Sequence, residues 1–249
     1  MDERLTFLGT YARLARIYMR WAPYLLLLAL IVFIPIGFVN SLTTNAELGS
    51  FEFEGIVEVL GAAVAFAALV VTAMLGEVFY TGAVAASLTH AHDGSPPSLR
   101  EIVSSISYGR LIVVDLIYGL VVAIGLVLLV APGIALFVLL ALAAPVVELE
   151  DRGVRASFRR SARLVGGRFW TVLAILAPLE LIDNSVTRLA GTLADGLLHD
   201  GLVAHWLADV LANLIFTPLY AVAAVLITVL LIREKDGGGP RLHSTPIWS

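Results

Sequence analysis

Runs of about twenty apolar residues dominate this sequence, and they limit what the chain can fold into. Of its 249 residues, 59% are hydrophobic and only 14% are charged, whereas soluble domains carry about 45–50% apolar and about 25% charged residues. One water-soluble core cannot hide that excess, so the bilayer is the expected solvent. The runs are continuous rather than alternating, which favours helices over membrane strands. The sequence therefore predicts an all-α, polytopic membrane helical bundle.

Six segments are long enough, or nearly so, to cross about 30 Å of hydrocarbon as helices. They are Pro23–Val39, Ile56–Leu88, Leu111–Val130, Ile134–Val147, Phe169–Leu189 and Leu207–Ile232. The second is too long for one straight crossing, which predicts that it is tilted or extends into the cytoplasm. The third and fourth are separated by Ala131-Pro132-Gly133, which leaves room only for a tight turn and predicts a helical hairpin.

The basic residues segregate to one side of these spans. Of the 16 lysines and arginines, only Arg188 falls on the other side. The opposite loop, Asn40–Gly55, carries three glutamates and no basic residue. Because cytoplasmic loops are enriched in Lys and Arg, we expect six transmembrane helices in the cell (cytoplasmic) membrane, with both termini in the cytoplasm.

The membrane domain is expected to occupy residues 1–235. Amphipathic segments precede the outward-going spans, at residues 1–22, Ser98–Tyr108 and residues 152–166, and they suggest a threefold repeat of helix-plus-hairpin units. Residues 236–249 contain three consecutive glycines and two prolines, a composition typical of a disordered tail.

The strongest local pattern is a run of arginines in residues 152–166. Arg155, Arg159 and Arg163 recur at i, i+4 and i+8, which stacks them on one helical face with apolar residues on another. Such a helix is typical of the membrane interface, with its apolar side in the acyl boundary and its basic side toward anionic headgroups. Together with Arg160, these arginines are the candidate lipid- or anion-binding residues. Topology determination and interfacial anchoring explain the same pattern without a specific ligand.

Acidic residues inside the spans form a second set of candidates. On insertion scales a central carboxylate costs about 2.5–3.5 kcal/mol, so such residues face the bundle interior or water. The intramembrane polar candidates are Glu77, Asp115, Glu180, Asp183 and Asn184. Two interpretations stay open. The residues either line a polar cavity that binds a headgroup or passes a proton or cation, or they make hydrogen bonds between helices.

No metal site and no enzyme is predicted. The chain has no cysteine, hence no thiolate ligand or Cys nucleophile. Asp195/His199 and His205/Asp209 are i, i+4 pairs of metal-ligand type, but Gly196 gives no rigid frame, and polar helix ends at a membrane surface explain them. No Gly-x-Ser-x-Gly nucleophile turn occurs. We expect no catalytic residue, no metal, no cofactor and no nucleic-acid partner.

The stretch from Pro132 to Trp170 carries a recognisable pattern. It contains Pro132-Gly133-Ile134, Pro145-Val146-Val147-Glu148-Leu149-Glu150, Gly153-Val154, Ala156, Arg160-Ser161, Arg163-Leu164, Gly167 and Trp170. This pattern resembles a broad family of bacterial six-helix integral membrane proteins related to the membrane domain of glycerophosphodiester phosphodiesterases. The resemblance implies the six-helix fold. It implies no phosphodiesterase activity, because the separate hydrolase domain of the fused enzymes has no counterpart in this sequence.

The acids that follow the fourth span are expected to fix the arginine segment to the bundle. Glu148, Glu150 and Asp151 are placed to pair with Arg155 or Arg159. The function expected from these features is that of a non-enzymatic membrane protein. It would organise anionic lipid or assist another membrane protein. A small transporter or channel that uses the intramembrane acids is the alternative.

Overall fold

The computed structural model describes residues 7–45, 61, 76–90, 97–198 and 202–237. Within these residues the regular secondary structure is helical and contains no strand, which confirms the all-α fold. In chain order the helices are α1 Phe7–Asn45, α2 Glu77–Thr89, α3 Leu99–Ser105, α4 Tyr108–Leu128, α5 Val130–Leu140, α6 Ala143–Glu150, α7 Val154–Gly166, α8 Phe169–Leu198 and α9 Leu202–Asp236.

Several helices have the length and the apolar composition that a membrane crossing requires. In the described part of the chain there are four, Phe7–Pro35, Tyr108–Leu128, Val130–Glu150 and Phe216–Asp236. A fifth is added if α7 and the first half of α8 are counted as one bent span. These helices are compatible with a multi-pass membrane protein by length and composition. Most of the predicted span Ile56–Leu88 lies outside the described residues.

Helix α1 is continuous where two segments were expected. The predicted amphipathic segment, residues 1–22, runs from Phe7 into the predicted span Pro23–Val39 without a break. An interior proline removes a helical hydrogen bond and commonly kinks the helix. Here one buried face continues past Pro23 and holds the helix together. Its members are Leu14, Ile17, Trp21, Leu25 and Leu28.

The second predicted span is not one unbroken helix. Helix α2 begins at Glu77, and Gly76 before it has a φ of 90°, a left-handed conformation that glycine adopts without steric cost. The expectation that Ile56–Leu88 forms a single tilted or extended helix is therefore wrong. The break exposes backbone N–H groups at the start of α2 that need partners from elsewhere.

Helices α4 and α5 form the predicted hairpin, although the turn is shorter than expected. Leu129 alone connects them, in an extended conformation. Pro132 and Gly133 lie inside the first turn of α5, where a missing N–H breaks no helical bond. A Cβ added to Gly125 would lie 2.9 Å from the Cα of Gly133. The two glycines therefore allow the two helices to approach closely.

The fourth predicted span is also interrupted. Two turn residues, Ala141 and Leu142, separate α5 from α6. Pro145 explains the interruption, because in a continuous helix its ring would clash with the carbonyl of Ala141. In the first turn of α6, by contrast, a proline is well tolerated.

The core of the bundle is centred on α9. The segment Tyr220–Ile232 is buried all around, so its residues contact protein rather than an outer surface. A helix that is apolar on every side belongs in the middle of a bundle. The last turn of α9 reaches α7, which places the C-terminal end of this helix beside the arginine residues.

Candidate functional site

Helix α7 presents two distinct faces. Arg155, Arg159 and Arg163 are exposed, whereas Leu164 and Val165 on the other side are fully buried. The predicted separation of basic and apolar faces is confirmed. The apolar face is covered by the other helices of the bundle instead of facing an acyl boundary. Helix α7 also bends by 105° from the first half of α8.

Ser161 fastens α7 to the break between α5 and α6. Its hydroxyl donates to the carbonyl of Leu139 at 2.7 Å and accepts the N–H of Leu142 at 3.2 Å. These backbone groups flank the interruption caused by Pro145, where the helical ladder offers no partner. A single buried serine therefore satisfies both groups. The sequence pattern from Pro132 to Trp170 includes Ser161 but indicates no role for it, because its partners lie across a break that only the packed helices show.

Arg160 fastens α7 a second time. Its Nη2 donates to Oε1 of Glu150 at 2.8 Å, its Nε donates to Oε2 at 3.1 Å, and Nη2 also contacts Asp236 at the end of α9. Only 11% of the Arg160 side chain is exposed. Burial opposes the charge, but the hydrogen bonds and charges of both carboxylates outweigh it and keep the pKa of Arg160 above its ordinary value. The structure brings this predicted anion-binding residue onto carboxylates of its own chain.

The acidic residues at the C-terminal end of α6 contact residues other than those expected. Glu150 pairs with Arg160 and Arg152, Asp151 pairs with Arg110 at 2.7 Å, and Glu148 accepts the N–H of Ser107 at 3.1 Å. The expected pairing with Arg155 or Arg159 is wrong, because those two arginines point away from α6. The acids fix the start of α4 and the inner side of α7 instead.

Two further contacts tie α7 and its C-terminal end to α9. The ammonium of Lys235 donates to the backbone carbonyl of Arg163, and Arg168 pairs with Glu234. In the described part of the chain, no carboxylate forms an ion pair with Arg155, Arg159 or Arg163. Helix α7 is thus rigidly held, and three arginines on its outer face are not neutralised by described acids.

Asp115 lies buried in α4 and caps the broken end of α2. Its Oδ2 accepts the N–H of Gly76 at 2.8 Å. The exposed fraction of Asp115 is 5%, and among the described residues its Oδ1 has no hydrogen-bond partner. A carboxylate is favourable at a helix N-terminus because the orphan N–H groups and the helix dipole both attract negative charge. The cap comes from a different helix, which no sequence pattern indicated.

Glu77 and Glu180 converge on a pair of buried tyrosines. Both carboxylates lie close enough to the buried Tyr118 and Tyr220 to act electrostatically on their hydroxyl groups, and the hydroxyl of Tyr118 donates to the carbonyl of Phe137 at 3.3 Å. Four helices meet at this point, namely α2, α4, α8 and α9. The tyrosines had no place in the predicted site, because their proximity to the acids depends on how the helices pack.

The remaining predicted residues are less informative. Asp183 is buried in α8, and the side chain of Asn184 lies outside the described residues, as do the side chains of the predicted cluster Asp195–Asp209. Within the described residues, no group of three or more His, Asp or Glu is arranged to hold a metal ion.

Comparison of this chain with protein-family models, with curated proteins and with solved structures found no match.

Proposed function

We propose that this protein is a non-enzymatic, multi-pass membrane protein that binds anionic lipid headgroups on the exposed face of α7. One observation carries the proposal. Arg155, Arg159 and Arg163 are exposed one turn apart without a described carboxylate partner, whereas Arg110, Arg152, Arg160 and Arg168 near them each pair with a carboxylate. Like charges one turn apart repel each other, and a bound phosphate removes that repulsion.

The rigidity of α7 supports this proposal. Ser161 and Arg160 hold the helix in place before any ligand arrives, so binding costs less conformational entropy than it would on a mobile segment. The guanidinium group suits phosphate, because its planar fork donates two parallel hydrogen bonds. Lipid headgroups carry that phosphate at the surface of the bilayer.

The direction of α7 also supports a position at the membrane surface. With α8 crossing the bilayer, a bend of 105° sets α7 close to the membrane plane. Trp170, 77% exposed at the start of α8, follows directly, and tryptophan is enriched at the headgroup level. We place this end in the cytoplasm, with six spans and both termini inside, because the basic residues collect there.

We also propose that this protein is related to the six-helix family whose pattern its sequence resembles. Three elements of that pattern, Pro145, Glu150 and Arg160-Ser161, meet at one junction between α6 and α7. A shared pattern that builds one junction is expected of a shared fold. It carries no activity with it.

Lipid binding by purified protein tests the proposal. We would measure retention of phosphatidylglycerol and phosphatidylcholine by native mass spectrometry, together with binding to vesicles of each lipid at increasing salt. Near an anionic surface each arginine contributes about 1 kcal/mol. Replacing Arg155, Arg159 and Arg163 by Gln should therefore weaken binding of the anionic lipid roughly 100-fold at low salt and flatten its salt dependence.

A second triple variant provides the matched control. Replacing Arg13, Arg16 and Arg20 of α1 by Gln removes the same charge from another helix. Because these arginines do not lie on the exposed face of α7, we expect this variant to lose much less affinity for phosphatidylglycerol than the α7 triple variant. Equal losses in the two variants would mean that general positive charge attracts the lipid, and the α7 site would be refuted.

A second candidate function is the passage of a proton or cation through the bundle. The convergence of Glu77 and Glu180 on Tyr118 and Tyr220 favours it. Carboxylates and hydroxyls that lie near one another inside a membrane protein are the groups from which proton relays are built.

A further inference from the structure

A cavity of about 500 Å³ lies beside the start of α2, away from the arginine face of α7. Helices α1, α2, α3 and α4 form its walls. The walls are almost entirely apolar, with Leu28, Val32, Ile102 and Ile112 among them. Ligand sites in proteins commonly have this volume and this apolar character, with a few polar groups that orient the ligand.

Asp115 is the charged residue of this lining. The described residues that line the cavity include no lysine and no arginine. The Oδ2 atom of the carboxylate accepts the N–H of Gly76, the backbone N–H of Phe79 also faces the carboxylate, and Oδ1 lacks a described hydrogen-bond partner. A buried carboxylate without a balancing cation is costly. A ligand with a positive charge and N–H donors would remove that cost.

Two aromatic rings strengthen the preference for a cation. Phe79 and Tyr108 both line the cavity, and their ring centroids are 6.0 Å apart. The faces of aromatic rings attract ammonium groups, most strongly in surroundings that exclude water. A carboxylate and two aromatic rings around one apolar space select an organic cation over a neutral molecule.

The cavity opens sideways. Ile31 on α1 and Leu116 on α4 both line it, and both are exposed on the outer surface of the bundle. That outer surface is the one that acyl chains contact in a membrane. A ligand that dissolves in the bilayer can therefore reach Asp115 without first passing through water.

We propose that this cavity binds a lipophilic amine, with its ammonium group on Asp115 and its apolar body between α1 and α4. The ammonium donates to the carboxylate oxygen that Gly76 leaves unused, and the chain fills the apolar space. This inference is independent of lipid binding by α7, because the two sites share no residue.

The test uses decylamine as the probe, with decanol and decanoate as matched compounds of the same chain length. Native mass spectrometry of the detergent-solubilised protein measures how much of each compound is retained. We expect one decylamine per protein. Because hydrogen bonds to charged groups are among the strongest in proteins, we expect decanol and decanoate to be retained at least about tenfold more weakly.

Two variants test the charge of Asp115 and the space of the cavity separately. Asp115→Asn keeps an oxygen for the N–H of Gly76 but removes the charge, and it should lower decylamine retention at least about tenfold. Leu116→Trp fills the opening without touching the cap, and it should also abolish binding. Leu120→Trp is its control, since Leu120 is exposed one turn further along α4 and does not line the cavity.

The outcomes are distinct. Loss of decylamine in Asp115→Asn and Leu116→Trp, with normal retention in Leu120→Trp, supports the site. Equal retention of decanol and decylamine would show that Asp115 does not select a cation, and the proposal would be overturned. If decylamine retention is unchanged in both Asp115→Asn and Leu116→Trp, the amine binds elsewhere and the proposal is overturned as well.

Discussion

The hydroxyl group of Ser161 accepts the backbone N–H of Leu142 at 3.2 Å and so joins α7 to a break in the fourth predicted span. The same hydroxyl donates to the carbonyl of Leu139 on the other side of the break. Pro145 causes the break, and Ser161, which supplies hydrogen bonds to the backbone on both sides of it, lies 16 residues later in the chain. These two hydrogen bonds hold α7 in place.

Removing the hydroxyl should destabilise the protein. Ser161→Ala leaves the buried N–H of Leu142 and the carbonyl of Leu139 without a partner, at a cost of about 1–3 kcal/mol. Thermal unfolding in detergent measures the change. Ser104→Ala is the control, because Ser104 is exposed and bonds only to the carbonyl of Glu101. If both variants unfold at the same temperature as the unmodified protein, Ser161 does not hold α7.

Arg160 should affect stability far more than its neighbours on α7. Arg160→Gln leaves Glu150 largely buried with a weakened partner, and breaking such a pair costs about 3 kcal/mol. Arg155→Gln removes an exposed charge and should change the free energy of unfolding by less than about 0.5 kcal/mol. The double variant Arg160→Gln, Glu150→Gln should recover part of the loss. Similar effects of Arg160→Gln and Arg155→Gln would contradict the paired geometry.

Close packing of α4 against α5 should make Gly133 intolerant of substitution. A Cβ at this position would lie 2.6 Å from the backbone nitrogen of Leu126, and such overpacking costs about 1–3 kcal/mol. Gly133→Ala should therefore lower the unfolding temperature. Gly109→Ala should leave it unchanged or raise it, since a Cβ at Gly109 meets nothing within 4 Å and alanine favours the helix. The reverse order would argue against the hairpin geometry.

Proton passage, the second candidate function, depends on Glu77 and Glu180. In liposomes that contain the purified protein and a pH-sensitive dye, Glu77→Gln or Glu180→Gln should reduce proton flux to the level of empty liposomes. The amides cannot carry a proton as carboxylates do, although they keep the size of the side chain. Asp151→Asn, an exposed carboxylate outside the bundle interior, should leave the flux unchanged. If proton flux is unchanged in both glutamine variants, Glu77 and Glu180 do not carry protons and serve only in packing.

Much of the helix arrangement could be predicted, but its interruptions could not. Apolar length located several helices long enough to cross a membrane, and the hairpin, because hydrocarbon thickness sets how long a helix must be. The interruption at Gly76 was missed, since glycine is common in membrane helices and its positive φ depends on contacts from α4. The continuity of α1 past Pro23 was also missed. An interior proline commonly kinks or breaks a helix, but in α1 a buried face continues past Pro23 and stabilises the helix.

For the candidate site, helical spacing alone specifies which residues share a face. The spacing of Arg155, Arg159 and Arg163 placed them on one side of α7, because helical periodicity is a property of the local chain. By contrast, helix packing brings Arg160 against Glu150 and Asp236, and it brings Asp115 from α4 to cap α2. Those contacts join residues from 10 to 76 positions apart, so they depend on how whole helices pack, which no local pattern encodes.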